Sequence, residues 1–313
     1  IGVAAIAVSA LLAGCAPSSQ PEVSTPISTP RPIVFSADGG PVWAHRSTIH
    51  VGDRTYDVSP HLVRELEWTP YRLYLQLSDD PVDGPYWNAE FDGARLTTID
   101  DVYGSMVADP EGRYVAWIER NGPERPAGRV AQVVVHDASN GAVVFHSSDG
   151  MGGDEGDDLG DRYEELPPSV AGFEGDDLVW VNAEGSGSTV RTNLRTGESE
   201  VTDGGGLGQP TSGFTFWSPD GAFRVDAERT GRLRVQPRQP DFGHRWQVQG
   251  GWLDDRVMLV LAQDRFRFSY DPTVPDTTPG FLESCDLDAG TCRLLAKVTG
   301  AQDVVFPGVD VQY

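Results

Sequence analysis

The twelve residues F-W-S-P-D-G-A-F-R-V-D-A, Phe216 to Ala227, decide how this chain folds. Apolar residues run into Ser-Pro-Asp-Gly, and a β-rich run follows. Glycine after aspartate supplies the positive φ that a tight turn needs, so the segment reads as two strands and their hairpin. One hairpin does not make a domain. Repetition does, because a unit that leaves apolar faces wet acquires a core by stacking on copies of itself.

Copies lie on both sides of it: L-E-W-T-P-Y-R-L-Y-L-Q-L (66–77), V-A-D-P-E-G-R-Y-V-A-W-I (107–118), V-A-G-F-E-G-D-D-L-V-W-V (170–181) and Q-G-G-W-L-D-D-R-V-M-L-V-L (249–261). S-A-D-G-G-P-V-W (36–43) heads the series, with Asp38 and Gly39 at the turn. A second hairpin follows each first one: 49–58, 91–98, 133–145, 192–201, R-L-R-V-Q-P (232–237) against H-R-W-Q-V (244–248), and 285–292. Four strands per unit and six units predict an all-β chain, a β-propeller of six four-stranded blades over residues 32–313. Seven blades is the alternative, since D-V-V-F-P-G-V-D (303–310) is one more strand that either closes the ring on the first unit or starts another. Continuously apolar second strands, such as Val257 to Leu261, suit blades covered on both faces. Trp43, Trp117, Trp180 and Trp217 are expected to pack between blades.

The P-D-G turns followed by β-rich runs, with hairpins of the D-L-x-T-G kind closing each unit, resemble the TolB-type and WD-repeat-like (WD40) propeller repeat over roughly residues 32–300. The resemblance implies a propeller fold and an extracytoplasmic setting. It implies no shared activity, because propellers host binding, scaffolding and catalysis alike. S-A-D-G-G-P-V-W also resembles the sialidase Asp box, except that Val42 stands where Thr is expected. Its place in the turn series assigns Asp38 and Gly39 to a hairpin and Trp43 to packing.

Residues 1–14, I-G-V-A-A-I-A-V-S-A-L-L-A-G, carry no charge and are too short for a membrane span of about 20 residues, so they read as the apolar part of a signal peptide. The Met and basic segment of a complete signal are absent, so the sequence is expected to begin partway into its precursor. L-A-G-C (12–15) resembles the bacterial lipobox, whose cysteine is diacylated and becomes the new N-terminus; this makes Cys15 the lipidation site. Each buried acyl CH₂ contributes about 0.8 kcal/mol, so the expected anchor to the membrane is lipid. Residues 16–31 are rich in Pro, Ser and Thr and form a tether with a reach of roughly 20–50 Å. The chain is thus expected to be a lipoprotein on the extracytoplasmic side of the cell membrane.

Cys285 and Cys292 remain, in C-D-L-D-A-G-T-C, with Asp288, Ala289 and Gly290 at a turn. A disulfide across that hairpin fits an oxidising compartment. No histidine stands nearby at zinc spacing, so a metal site is the lesser reading there.

Net charge of −23 excludes nucleic acid as a partner, because binding phosphate needs a basic surface. The segment D-G-M-G-G-D-E-G-D-D-L-G-D-R-Y-E-E (149–165) is an insertion between the third and fourth units. Asp154, Asp157, Asp158 and Asp161 offer oxygens to Ca²⁺, yet the spacing matches no EF-hand or nonapeptide pattern, and solvated loops have the same composition. Otherwise no cofactor is expected. There is no G-x-S-x-G, H-E-x-x-H, Walker or dinucleotide motif, and the six histidines are scattered. The expectation is a lipid-anchored binding or scaffolding module for a protein or an envelope polysaccharide. A propeller glycoside hydrolase and a purely structural envelope lipoprotein are the alternatives. The first requires buried, shifted carboxylates clustered at a channel mouth.

Overall fold

At three turns a small polar residue that precedes proline closes the turn with its side chain. Thr69 Oγ1 accepts the N–H groups of Tyr71 and Arg72 at 3.3 and 3.0 Å. Asp109 Oδ1 accepts those of Arg113 and Tyr114, and Ser218 Oγ that of Phe223 at 2.9 Å. All three caps are buried. In S-P-D-G the capping group is therefore Ser218, while Gly221 takes φ 70° and donates its N–H to the Ser218 carbonyl.

The computed structural model describes residues 40–80, 85–109, 111–125, 128–151, 163, 167–174, 177–181, 189–202, 213–218, 221–228, 232–244, 246–264 and 277–308, all within one compact unit. The first strands are β1 (Val42–His45), β2 (Thr48–Val51) and β3 (Arg54–Asp57). A second sheet holds β4 (Leu62–Trp68), β5 (Leu73–Ser78), β6 (Tyr86–Phe91) and β7 (Leu96–Ile99). The third begins with β8 (Val102–Ala108) and β9 (Tyr114–Glu119). It continues, after a short hairpin of β10 (Glu124–Arg125) and β11 (Gly128–Arg129), into β12 (Gln132–Asp137) and β13 (Ala142–Ser147). The fourth has β14 (Ser169–Glu174), β15 (Asp177–Val181), β16 (Thr189–Asn193) and β17 (Ser199–Thr202). β18 (Gly213–Trp217), β19 (Arg224–Glu228) and β20 (Arg232–Gln236) form the fifth. The sixth has β21 (Trp246–Trp252), β22 (Val257–Gln263), β23 (Pro279–Asp286) and β24 (Thr291–Thr299). A 3-10 turn, Ala301–Asp303, then leads into β25 (Val304–Val305).

The fold is all-β. Within each sheet the strands pair antiparallel in chain order, and β25 joins the first sheet beside β1, with Val305 opposite Ala44 and Val304 opposite His45. That edge of β1 is the one a hairpin across Asp38 and Gly39 needs. Asp38 and Gly39 themselves lie outside the described residues.

Second strands are buried along their length, as in β22, whereas β16 and β20 alternate. The difference follows from packing, because a strand alternates when only one of its faces is covered. Buried clusters join sheets one and two, two and three, three and four, five and six, and six and one. Trp43 packs against Leu259, Leu261 and Leu282 of the sixth sheet, and Trp117 lies in one cluster with Tyr74 of the second. Both indoles sit between sheets, as expected; the side chains of Trp180 and Trp217 lie outside the described residues.

One expected pairing is corrected. Residues 232–237 do not pair with 244–248: β20 pairs with β19, and Trp246 opens the next sheet as β21. Between them Q-P-R-Q-P-D-F-G-H holds two prolines, which cannot donate to a ladder. The fifth sheet therefore has three strands among the described residues.

Candidate functional site

The loop 237–244 runs from the end of β20 toward β21 without joining a sheet. Leu233 and Val235 turn their backbone groups away from β19, toward a side where other sheets carry a fourth strand. Side-chain amides fill those positions. Gln239 Oε1 accepts the Val235 N–H at 2.8 Å, Gln239 Nε2 donates to the Leu233 carbonyl at 3.1 Å, and Gln247 Oε1 accepts the Leu233 N–H at 3.3 Å. Phe242 is driven into the core beside Cys285 and Leu287. An open cleft of about 450 Å³ remains, lined by Arg232, Arg234, Asp241, Phe242, His244 and Gln247.

His244 connects this cleft to the interior. Its Nδ1 lies 2.8 Å from Asp264 Oδ1, and its Nε2 lies 3.6 Å from Glu283 Oε1. A carboxylate only accepts, so Nδ1–H donates to Asp264, while Nε2 faces the Glu283 carboxylate. The ring stacks on Phe281, with centroids 4.2 Å apart and 12° between planes. Glu283 is 7% exposed, and its Oε2 has no hydrogen-bond partner among the described residues. Burial raises the Glu283 pKa; the His244 charge opposes that shift and Asp241 adds to it. Phe281, Glu283 and Cys285 alternate along β23, and Cys285 is bonded to Cys292 directly across the register. Glu283 and both sulfurs place donor atoms within 4.8 Å of one another.

A second shifted carboxyl lies elsewhere. Glu67 on β4 keeps some accessible surface, yet protein surrounds its carboxyl and pushes its pKa up to about 8. Backbone N–H groups of Ala108 and Gly308 donate to it and pull the other way, while the Glu65 charge adds to the rise. Gly308 N–H also reaches the Leu66 carbonyl at 3.1 Å, and Leu66 bridges to Pro307. Glu67 thus ties β4 to β8 and to the segment after β25. It does not line the cleft.

Of the residues singled out in the sequence, Cys15 and the acidic set Asp154, Asp157, Asp158 and Asp161 lie outside the described residues. Of the neighbouring residues that are described, buried Tyr163 donates its hydroxyl to the Met151 carbonyl at 2.8 Å and accepts the Ala131 N–H at 3.0 Å. Sequence reasoning missed His244, Asp264, Glu283 and Glu67. A signal existed for one of them: in F-L-E-S-C, Glu283 shares a strand face with Cys285, so burial of that cysteine buries the glutamate too.

No family model and no curated protein matches this chain. Solved structures of propeller type are weakly similar. A puromycin-hydrolyzing peptidase of Mycobacterium tuberculosis aligns with TM-score 0.36 and 11% identity, over 80% of this chain and 41% of that one, so the chain spans less than half its length. An oligogalacturonate lyase in complex with manganese aligns at 0.34 and 12%, over 85% of this chain and 76% of the lyase. A mitotic checkpoint complex chain aligns at 0.32 and 10%, over 76% and 80%. Likeness at this level carries no argument about activity.

Proposed function

We propose that this chain is a binding module: a six-bladed propeller, closed by β25, that is held by lipid at Cys15 on the extracytoplasmic side of the membrane. It presents the cleft between sheets five and six to a protein or an envelope polymer. The observation that carries the reading is the fifth sheet itself, where glutamine side chains stand in for a fourth strand and leave an open, polar cleft beside it. Packing of the first sheet on the second, the second on the third, the third on the fourth, the fifth on the sixth and the sixth on the first supports the ring. The large apolar residues exposed elsewhere among the described residues, Tyr86, Val143, Val144, Val201 and Leu294, are scattered over four sheets and offer no comparable platform. Catalysis on glycans has less support, since the two raised carboxyls among the described residues, Glu67 and Glu283, belong to different sheets and different surroundings.

The test places a photo-crosslinking residue at position 232 of the membrane-borne chain, and at position 143 as a control. A discrete adduct from position 232 alone is the expected result. Adducts from both positions, or from position 143 alone, sink the assignment of the cleft.

A further inference from the structure

We propose that the reduced chain holds a divalent metal of the zinc class through Cys285 Sγ, Cys292 Sγ, the Glu283 carboxylate and His244 Nε2. The four donors come from one strand face, its cross-strand neighbour and the loop that packs over them. Glu283, Cys285 and Cys292 already place donor atoms within 4.8 Å of one another. His244 Nε2 stands 3.6 Å from Glu283 Oε1. Bonds of about 2.0–2.3 Å around a tetrahedral zinc separate its ligand atoms by roughly 3.3–3.8 Å. The two sulfurs, bonded at 2.07 Å when oxidised, therefore part on reduction, and His244, which reaches Glu283 but stands outside the three-donor group, moves in toward them.

Three further features suit a metal and have no role in a simple hairpin staple. Glu283 Oε2 is buried without a hydrogen-bond partner among the described residues, which is costly unless something binds it. Asp264 accepts the Nδ1 proton of His244, the arrangement that orients a metal-binding imidazole, here with Nε2 turned toward Glu283. Phe281 holds the ring plane by stacking. With four protein donors the site is closed, so the metal's role is structural.

In the oxidised chain the two sulfurs are bonded to each other. A dithiol reductant gives up two electrons and two protons: the S–S bond breaks, two thiols form, and the reductant closes its own disulfide. The metal then takes both sulfurs as thiolates and two protons leave. The hairpin therefore exchanges one cross-link for another, covalent when oxidised and coordinate when reduced. The inference stands apart from the binding-module reading, and neither needs the other.

The probe is cobalt(II), added to full chain reduced with a phosphine that does not bind the metal. The expected result is one equivalent bound with the visible bands of tetrahedral thiolate coordination, bleached by zinc and absent from the oxidised chain. His244→Ala and Glu283→Gln are each expected to lower cobalt affinity at least about tenfold, because even outer partners of metal ligands cost that much. As a second readout, zinc is expected to shield both cysteines of the reduced chain from iodoacetamide. Absence of the bands, bands that survive Cys292→Ser, affinity unchanged in both His244→Ala and Glu283→Gln, or loss of β-sheet circular dichroism in the zinc-loaded reduced chain overturns the proposal.

Discussion

Two histidines, each packed against an aromatic ring between two sheets, have opposite surroundings. His136 on β12 lies 4.3 Å from the Trp117 ring at the junction of sheets two and three, where Tyr74, Trp117 and Val115 are fully or nearly fully buried. Burial first, and the Arg72 charge second, lower its pKa to about 4, so it is a neutral packing group at neutral pH. His244, at the junction of sheets five and six, meets two carboxylates and an open cleft. The same residue is core filler beside a four-stranded sheet and an oriented donor beside the sheet that has three strands among the described residues.

The largest effect that distinguishes the junctions is packing. Trp117→Ala is expected to cost about 3–5 kcal/mol in chemical denaturation, because a nearly fully buried indole leaves a cavity that its neighbours cannot fill. Phe281→Ala, at a half-buried ring beside the cleft, is expected to cost roughly half of that or less. Equal costs erase the contrast.

Titration is the next largest, and two groups should act with opposite sign. The folded-state pKa of Glu67 is raised from 4.5 to about 8, so its neutral form belongs to the fold. That contribution is full below about pH 4.5 and is lost as pH rises through about 8. Glu67→Gln should flatten this slope while keeping the acceptor for the Ala108 and Gly308 N–H groups. His136 moves the other way, from 6.5 to about 4, so its contribution is present above pH 6.5 and fades as pH falls toward 4. His136→Phe should remove that acid-side slope in thermal melts; a slope unchanged in the variant assigns it to another group.

The smallest is the hairpin staple. A seven-residue separation closes a short loop, so reducing the disulfide in metal-free chain should cost at most about 2 kcal/mol. A larger loss assigns Cys285 and Cys292 a heavier share of the fifth and sixth sheets.

Much of the fold was legible because its punctuation is local. Asp-Gly and Pro-x-Gly turns identify hairpins one at a time, and Val304–Val305 could be read as a strand from its β-branched residues alone. The unit 232–248 was misread because two flanking apolar runs look like a hairpin, while the prolines that prevent pairing sit in the connection. The site was legible only in part. Cys285 and Cys292 announce themselves by spacing, but His244 reaches Glu283 across 39 positions, and no local pattern encodes which loop folds over which strand face. Glu67 is hidden for a related reason: L-E-W is an ordinary alternating strand until the segment after β25 closes over it.

The most direct test is native-state hydrogen exchange, resolved to single amides. The Leu233 and Val235 N–H groups, held only by glutamine side chains, should exchange at least about a hundredfold faster than those of Val133 and Val135 inside the third sheet. Such a ratio shows that the edge of β20 at the junction of sheets five and six is open in solution. Equal protection means that a fourth strand covers β20 in solution, and contradicts the account.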